Sequence, residues 1–174
     1  SPLIDHCVIA NGSTRGIFIS DVNSLPSLII RYSTINDNGN MGVNISQSNV
    51  TLWGNVISKN TNGGLNATKS TLTLNNNIVA DNINGSGIKV SEGTTNLTDN
   101  TISGNTTNSS GAGIYIYQSA ATLTGNTIQG NVAQEYGGGI RLQEVYSGVT
   151  LTGNTISGNS SNSAGGGVYL EWGT

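Results

Sequence analysis

The chain has 174 residues, a formal net charge of −3, and only 9% charged residues. Asn and Gly contribute 25 residues each and Ser plus Thr another 41, so the residue types that favour helices are too scarce for a helical bundle. The sequence contains no basic block, no apolar run of about 18 residues and only one cysteine. We therefore expect no nucleic-acid partner, no membrane span, no disulfide framework, and no metal site or cofactor.

A repeat of the form Asn-x-Ile-x-x-Asn runs through the chain. Its seven copies cover residues 6–11, 33–38, 55–60, 77–82, 100–105, 126–131 and 154–159. The apolar centres of the copies are 22 to 28 residues apart and fall at Val8, Ile35, Ile57, Val79, Ile102, Ile128 and Ile156. The second Asn is present in every copy, from Asn11 to Asn159, which chance does not explain.

Two further segments keep the same period. An apolar residue lies five positions before each centre, at Leu3, Ile30, Leu52, Leu74, Leu97, Leu123 and Leu151. After each second Asn comes a segment of the form Gly-apolar-x-apolar, which begins at Gly16, Gly42, Gly64, Gly87, Gly113, Gly139 and Gly167. Alternating apolar residues bounded by Gly and Asn are typical of short strands.

Three short strands per repeat, with no helical stretch between them, predict an all-β, single-stranded parallel β-helix. We expect about seven coils of 22–28 residues and three short parallel sheets, in which each strand pairs with its equivalent in the next coil. The first Asn of each repeat should stack on its equivalents at a tight bend, where side-chain amides bond to one another. Ser33 and His6 take this position in the first two coils.

The Asn-x-Ile-x-x-Asn spacing, the Gly-led strand and the Thr-Leu-Thr-Gly-Asn runs resemble the right-handed parallel β-helix repeat of the pectate lyase-like superfold. The resemblance extends over residues 3–172 and implies a fold more than a function, because that superfold includes lyases, hydrolases, epimerases, adhesins and passive stalks. By analogy, the Gly-led strands correspond to the sheet that binds polysaccharide. We expect residues 1–174 to form one domain that is a segment of a longer protein and packs against its adjoining coils.

Aromatic and charged residues gather on the outward positions of the later Gly-led strands. The loops before these strands have three or four residues in the first four repeats and seven in the last three, at residues 106–112, 132–138 and 160–166. Sugar rings pack on aromatic faces, and Arg, Gln and Glu bond hydroxyl or carboxylate groups. The candidate ligand-binding residues are Tyr115, Tyr117, Arg141, Gln143, Tyr169 and Glu171.

Evidence for catalysis in the sequence is weak. Glycoside hydrolysis needs two facing carboxylates. Glu92 and Glu144 occupy equivalent positions two coils and about 10 Å apart, with Gln118 between them. With Lys89 and Arg141 as basic candidates they form no convincing acid–base set, so we assign no catalytic residue.

These observations predict an extracellular or cell-surface module, structural or carbohydrate-binding and without catalysis, whose partner is a polysaccharide or cell-surface glycan. A polysaccharide lyase, hydrolase or epimerase acting on acidic or neutral glycans is the alternative. Ice binding through an outward Thr strip (Thr122 and Thr124 on Thr150 and Thr152) is a minor one. The strip is interrupted in earlier coils by Trp53, Asn75 and Arg31, and the β-propensity of Thr explains it well.

Overall fold

The computed structural model describes residues 2–22, 27–145 and 148–172. Within these ranges the chain forms 24 strands and no helix, and all strand pairs are parallel. The predicted all-β parallel β-helix is confirmed. Each of three main sheets holds seven strands, one per layer. Seven layers are connected by about six turns of the solenoid, which is slightly fewer than the seven expected.

The first sheet contains the strands that precede the Asn-x-Ile segments. We number the coils one to seven in the order of these strands. They are Leu3–Asp5, Leu28–Arg31, Asn49–Trp53, Thr71–Asn75, Thr94–Thr98, Ala120–Thr124 and Val149–Thr152.

The second sheet contains the Asn-x-Ile segments themselves. Its strands are Val8–Ala10, Thr34–Asn36, Val56–Ser58, Ile78–Ala80, Thr101–Ser103, Thr127–Gln129 and Thr155–Ser157.

The third sheet is formed by the Gly-led strands. They are Ile17–Ser20, Val43–Ser46, Leu65–Thr68, Ile88–Ser91, Ile114–Tyr117, Ile140–Gln143 and Val168–Glu171.

A fourth sheet, which the sequence did not predict, lies inside the three seven-residue loops. Its strands are Thr106–Thr107, Val132–Ala133 and Ser160–Ser161. A two-residue strand is too short to show a period, and it forms because three loops of equal length stack in register. The long loops are therefore an ordered part of the solenoid.

The core is a column of apolar side chains at alternate strand positions. The predicted inward residues of coils three to six, such as Leu74 and Ile102, are fully buried. In coil seven, Leu151 is 40% exposed and Ile156 is half-buried, although both keep the inward register. Burial of each coil thus depends on contact with both neighbouring coils.

The predicted register of the first coil is wrong by one residue. Ile9 pairs with Ile35, and Ile4 with Ile30, whereas Val8 and Leu3 face outward. Consequently the first bend begins with Cys7 and not His6, and the second with Gly12 and not Asn11. The sequence pattern aligns Asn11 with the second Asn of the other repeats, whereas backbone pairing places Gly12 at that position.

The asparagine ladder predicted at the first bend is confirmed, and the second bend carries another one that was not predicted. In all coils but the last, the side-chain amide donates to the amide oxygen of the next coil and to a backbone carbonyl of the preceding coil. Asn77 Nδ2, for example, lies 3.0 Å from Asn100 Oδ1 and 3.0 Å from the Leu52 carbonyl oxygen. The first ladder contains Asn55, Asn77, Asn100, Asn126 and Asn154, and the second contains Asn38, Asn60, Asn82, Asn105, Asn131 and Asn159.

The third bend, which follows the Gly-led strands, uses hydroxyl groups instead. Ser48 and Ser70 are buried there, and the Ser48 backbone N–H donates to Ser70 Oγ at 3.2 Å. In coil four Gly93 occupies this position and donates to Ser119 Oγ at 3.0 Å. All three bends therefore satisfy buried backbone groups with short polar side chains from the next coil.

Candidate functional site

The candidate binding residues occupy two parallel rows on the outward face of the third sheet. In the first row Lys89, Tyr115, Arg141 and Tyr169 follow one another from coil four to coil seven. The second row contains Ser91, Tyr117, Gln143 and Glu171. Adjacent members lie in neighbouring strands, so this part of the sequence pattern is also a spatial cluster.

Arg141 is the centre of this cluster. A guanidinium nitrogen lies 2.6 Å from Glu171 Oε2, and the side chain is only 12% exposed. The guanidinium carbon lies 5.2 Å from the ring centre of Tyr115 and 5.7 Å from that of Tyr136. Arg141 is thus held by a carboxylate and two aromatic rings.

The seven-residue loops fold onto the sheet. Tyr136, in the loop of coil six, stacks on Tyr169 with ring centres 4.6 Å apart and an angle of 23° between the ring planes. Ser109 and Ser110, in the loop of coil five, donate to Glu135 Oε2 at 3.3 and 2.9 Å. The loops are therefore bonded to one another and cover part of the later rows.

The hydroxyl groups of two tyrosines are held by neighbouring polar side chains. Tyr115 donates to Gln143 Oε1, and its partial burial raises the pKa of the hydroxyl above its ordinary value, an effect that Arg141 opposes. Desolvation, followed by the carboxylate of Glu144, raises the pKa of Tyr117. Both phenols therefore remain protonated donors at neutral pH.

A concave surface of about 310 Å³, which we call the amide groove, lies beside the first of these rows. Its described lining is Asn40, Met41, Asn62, Leu65, Asn66, Asn84, Gly85, Ser86, Lys89, Thr107, Ser109, Ser110 and Tyr115. The groove extends over coils two to five, and of the candidate residues only Lys89 and Tyr115 line it.

The position of the amide groove follows from the change in loop length. Loops of three or four residues leave the third sheet open in coils two to four, and the seven-residue loop of coil five closes one side through Thr107, Ser109 and Ser110. The long loops are evident in the sequence, whereas the Asn residues of the short loops were not among the predicted site residues. Their signal was the recurrence of Asn40 and Asn62 two residues after successive ladder positions.

A family model described as the right-handed β-helix region matches residues 1–156 and 87–174, which together span the chain. The chain belongs to this right-handed β-helix family. A search of curated proteins finds no significant match. Because a β-helix is a scaffold that carries many activities, the family establishes the fold and its hand, and function must be argued from the surface.

The carboxylates proposed as weak catalytic candidates in this β-helix lie at the third bend. Glu144 Oε2 accepts a bond from Gln118 Nε2 at 2.6 Å, and Glu92 forms an ion pair with Lys69 at 3.6 Å. Gln118 separates the two carboxylates, as expected from the sequence, and neither carboxylate is among the described lining residues of the amide groove. The structure thus gives each of them a partner of its own.

Residues 2–22, 27–145 and 148–172 contain neither a candidate metal cluster nor a candidate membrane-spanning helix. No group of three or more His, Cys, Asp or Glu side chains there could hold a metal ion. No helix in the same ranges is long and apolar enough to cross a membrane.

Proposed function

We propose that this β-helix protein binds a glycan in the amide groove without transforming it, and that it works outside the cell or at the cell surface. The observation that carries the proposal is the groove itself, whose polar lining ends at the half-buried side chain of Tyr115. Its volume of about 310 Å³ is at the lower end of the range for small-molecule sites, about 300–1,000 Å³.

The chemistry of the lining suits a sugar. Asn40, Asn62, Asn66 and Asn84 present amide groups that both donate and accept hydrogen bonds, as the hydroxyl groups of a sugar require. Tyr115 adds half-buried aromatic surface beside Lys89, and the apolar part of a sugar can contact it. Since the Asn residues come from successive coils, they form a row that suits a repeating polymer better than a compact ligand.

Lys89 adds a positive charge at the end of the groove. Its Nζ lies 5.1 Å from the ring centre of Tyr115, and no Asp or Glu is among the described lining residues. The neighbouring cations Lys69 and Arg141 are by contrast paired with Glu92 and Glu171. Lys89 is therefore the basic residue best placed to bond a sugar hydroxyl or carboxylate.

The other candidate residues support this site indirectly. Arg141 packs against Tyr115 and is held by its ion pair with Glu171. Gln143 accepts a hydrogen bond from the Tyr115 hydroxyl. We infer that Arg141, Gln143 and Glu171 are positioning residues that hold the Tyr115 ring at the end of the groove. Tyr169 and Tyr136 fasten the long loops over the same cluster.

Binding without turnover is favoured over a lyase, hydrolase or epimerase by the places of the carboxylates. A glycosidase needs two carboxyl groups that face one sugar linkage. Glu92 and Glu144 are engaged by Lys69 and Gln118 at the third bend. A sugar in the groove would contact amides, hydroxyls, one cation and one phenol.

The proposal is tested by a glycan array followed by calorimetry with the best-bound glycan. We expect Tyr115→Ala and Lys89→Ala each to weaken binding about tenfold, which corresponds to about 1.4 kcal/mol. Lys59→Ala, which removes an exposed lysine at the second bend, should leave the affinity unchanged. Equal affinity of all three variants would place the glycan elsewhere on the molecule.

The non-catalytic part is tested separately. The protein is incubated with polygalacturonate, alginate and neutral glycans, and the products are followed by chromatography. We expect no cleavage and no epimerisation. Turnover of any of these polymers that is lost in Glu92→Gln or Glu144→Gln would establish the enzymatic alternative.

A further inference from the structure

The outward face of the first sheet carries a broader Thr array than the sequence indicated. One column runs Thr51, Thr73, Asn96, Thr122 and Thr150, with one member in each of coils three to seven. The interruptions expected from Arg31, Trp53 and Asn75 all fall in a single neighbouring column. Over coils three to seven, nine of the fourteen outward strand positions are Thr.

The array is regular in two directions. Successive coils are about 4.8 Å apart, and alternate residues along one strand are about 6.6 Å apart. Thr98, Thr124 and Thr152 are aligned in the next column and complete a grid with Asn96, Thr122 and Thr150. Each Thr side chain is branched at Cβ and has few rotamers, and the strands of coils three to six are bonded on both sides, so the grid is rigid over these coils.

Charged residues are absent from the fourteen outward positions of the array and lie outside it. None of the fourteen positions is charged, and Asp99, at the bend that follows the array, has a carboxylate oxygen beside Gly125. The ion pair of Asp5 with Arg31 lies in coils one and two. The outward face of the third sheet, by contrast, carries Lys89 and Arg141. A charged side chain binds its own shell of water, and its absence leaves the grid free to impose one spacing on the water above it.

We propose that this face, which we call the Thr grid, is an ice-binding surface. Its hydroxyl groups donate and accept hydrogen bonds to a first layer of water, and its methyl groups limit the positions that the layer can take. The grid is uniform in composition, rigid and repeated in two directions. An ordered water layer on it therefore suits the surface of an ice crystal better than it suits a single dissolved ligand. The grid lies on a different sheet from the amide groove, so the two proposals stand or fall independently.

A crystalline polysaccharide is a less suitable occupant of the same face. Sugar rings are held mainly by aromatic side chains, and the fourteen positions include one aromatic residue, Trp53, at the edge of the array. The central column is instead made of Thr and Asn, whose groups are of the size of water. The Thr grid therefore favours ice.

The test measures thermal hysteresis and inhibition of ice recrystallisation with the whole chain. We expect both activities in the parent protein and loss of most of the activity in Thr122→Lys, which places a hydrated charge at the centre of the grid. The matched control is Thr127→Lys, an outward Thr of the same coil on the second sheet, which should retain the parent activity. Circular dichroism checks that both variants keep the fold.

A gain-of-function variant makes the test two-sided. Asn96→Thr completes the central column, and we expect it to raise thermal hysteresis above that of the parent. Absence of activity in both the parent and Asn96→Thr would overturn the proposal. Equal loss in Thr122→Lys and Thr127→Lys would do the same, as would retention on insoluble chitin or cellulose without any effect on ice.

Discussion

The fold depends most directly on the buried side-chain amides of the ladder Asn residues. Asn105 has no exposed surface, and its oxygen accepts bonds from the backbone N–H and the side-chain amide of Asn82 at 3.1 and 2.9 Å. Its nitrogen donates to the Val79 carbonyl at 2.9 Å and to Asn131 Oδ1 at 3.0 Å. One side chain thus satisfies polar groups in three coils.

Asn105→Ala is expected to lower the free energy of unfolding by about 3 kcal/mol, because it leaves buried donors of Asn82 without an acceptor. The control is Asn108→Ala, which removes an exposed amide that donates to Asn84 at 3.3 Å and should change stability by less than about 0.5 kcal/mol. Urea unfolding measures both. Similar midpoints for the two variants would mean that the ladder contributes little.

A second residue-scale prediction concerns the interior hydroxyl of Thr95. This side chain is fully buried between Leu72 and Ala121 in the register of the first sheet, and its oxygen has no hydrogen-bond partner. Thr95→Val is expected to raise the free energy of unfolding by about 1 kcal/mol, since it removes an unsatisfied polar atom from the core.

The matched control for that change is Thr94→Val, one residue earlier and exposed, for which thermal unfolding should show a much smaller effect. A lower melting temperature for Thr95→Val would indicate that the hydroxyl has a partner in solution, such as a buried water molecule.

At the scale of elements, the Gly-led strands show how closely the coils approach. A Cβ on Gly87 would lie 2.7 Å from Asn105 Nδ2 and 2.9 Å from the Gly113 carbonyl oxygen. In coils one to six, the Gly that precedes each of these strands is therefore required by the neighbouring coil. In coil seven the equivalent Gly167 would meet only Ile156 Cγ2, at 3.7 Å.

This difference gives a prediction with an internal control. Gly87→Ala should cost about 2 kcal/mol of stability through overpacking, whereas Gly167→Ala should change it by less than about 0.5 kcal/mol. Chemical unfolding of the two variants compares the same substitution at the same position of two coils. A smaller effect at Gly87 than at Gly167 would contradict the observed stacking.

Much of the element structure was predictable because a period repeated seven times leaves little choice. The central inward residues, such as Leu74 and Ile102, and the Asn ladder of the first bend follow directly from spacing. The predicted register of the first coil was wrong because Cys7 and Gly12 replace the Asn residues that define the register elsewhere. Where the marker residue is absent, only backbone pairing fixes the alignment.

The candidate site was predictable only in part. The outward rows from Lys89 to Glu171 could be read from alternation, but which of these side chains remain open depends on how the loops fold. Tyr136 covers Tyr169, and Glu171 neutralises Arg141, and neither contact leaves a signal in the spacing. The amide groove arises from short loops, which the sequence shows only as missing residues.

At the scale of the whole molecule, stability is shared between nearest-neighbour coils. Amides of coils three to five should exchange with solvent more slowly than those of coil seven, because inner coils are covered on both sides and Leu151 and Leu170 of coil seven are 40% and 46% exposed. Hydrogen exchange followed by mass spectrometry compares residues 71–75 with residues 149–152. Equal protection of the two segments would show that the solenoid unfolds as a single unit.

The side-chain amides of the two asparagine ladders have dipoles that all point the same way along the axis. In every step the amide nitrogen donates towards the later coil and the oxygen accepts from the earlier one, as from Asn55 to Asn77 and on to Asn100. The side-chain dipoles therefore add along the axis, much as peptide dipoles do in a helix, with the positive end at Asn154 and Asn159. The two ladders therefore contribute dipoles of the same sense along the axis, whereas two opposed ladders would cancel.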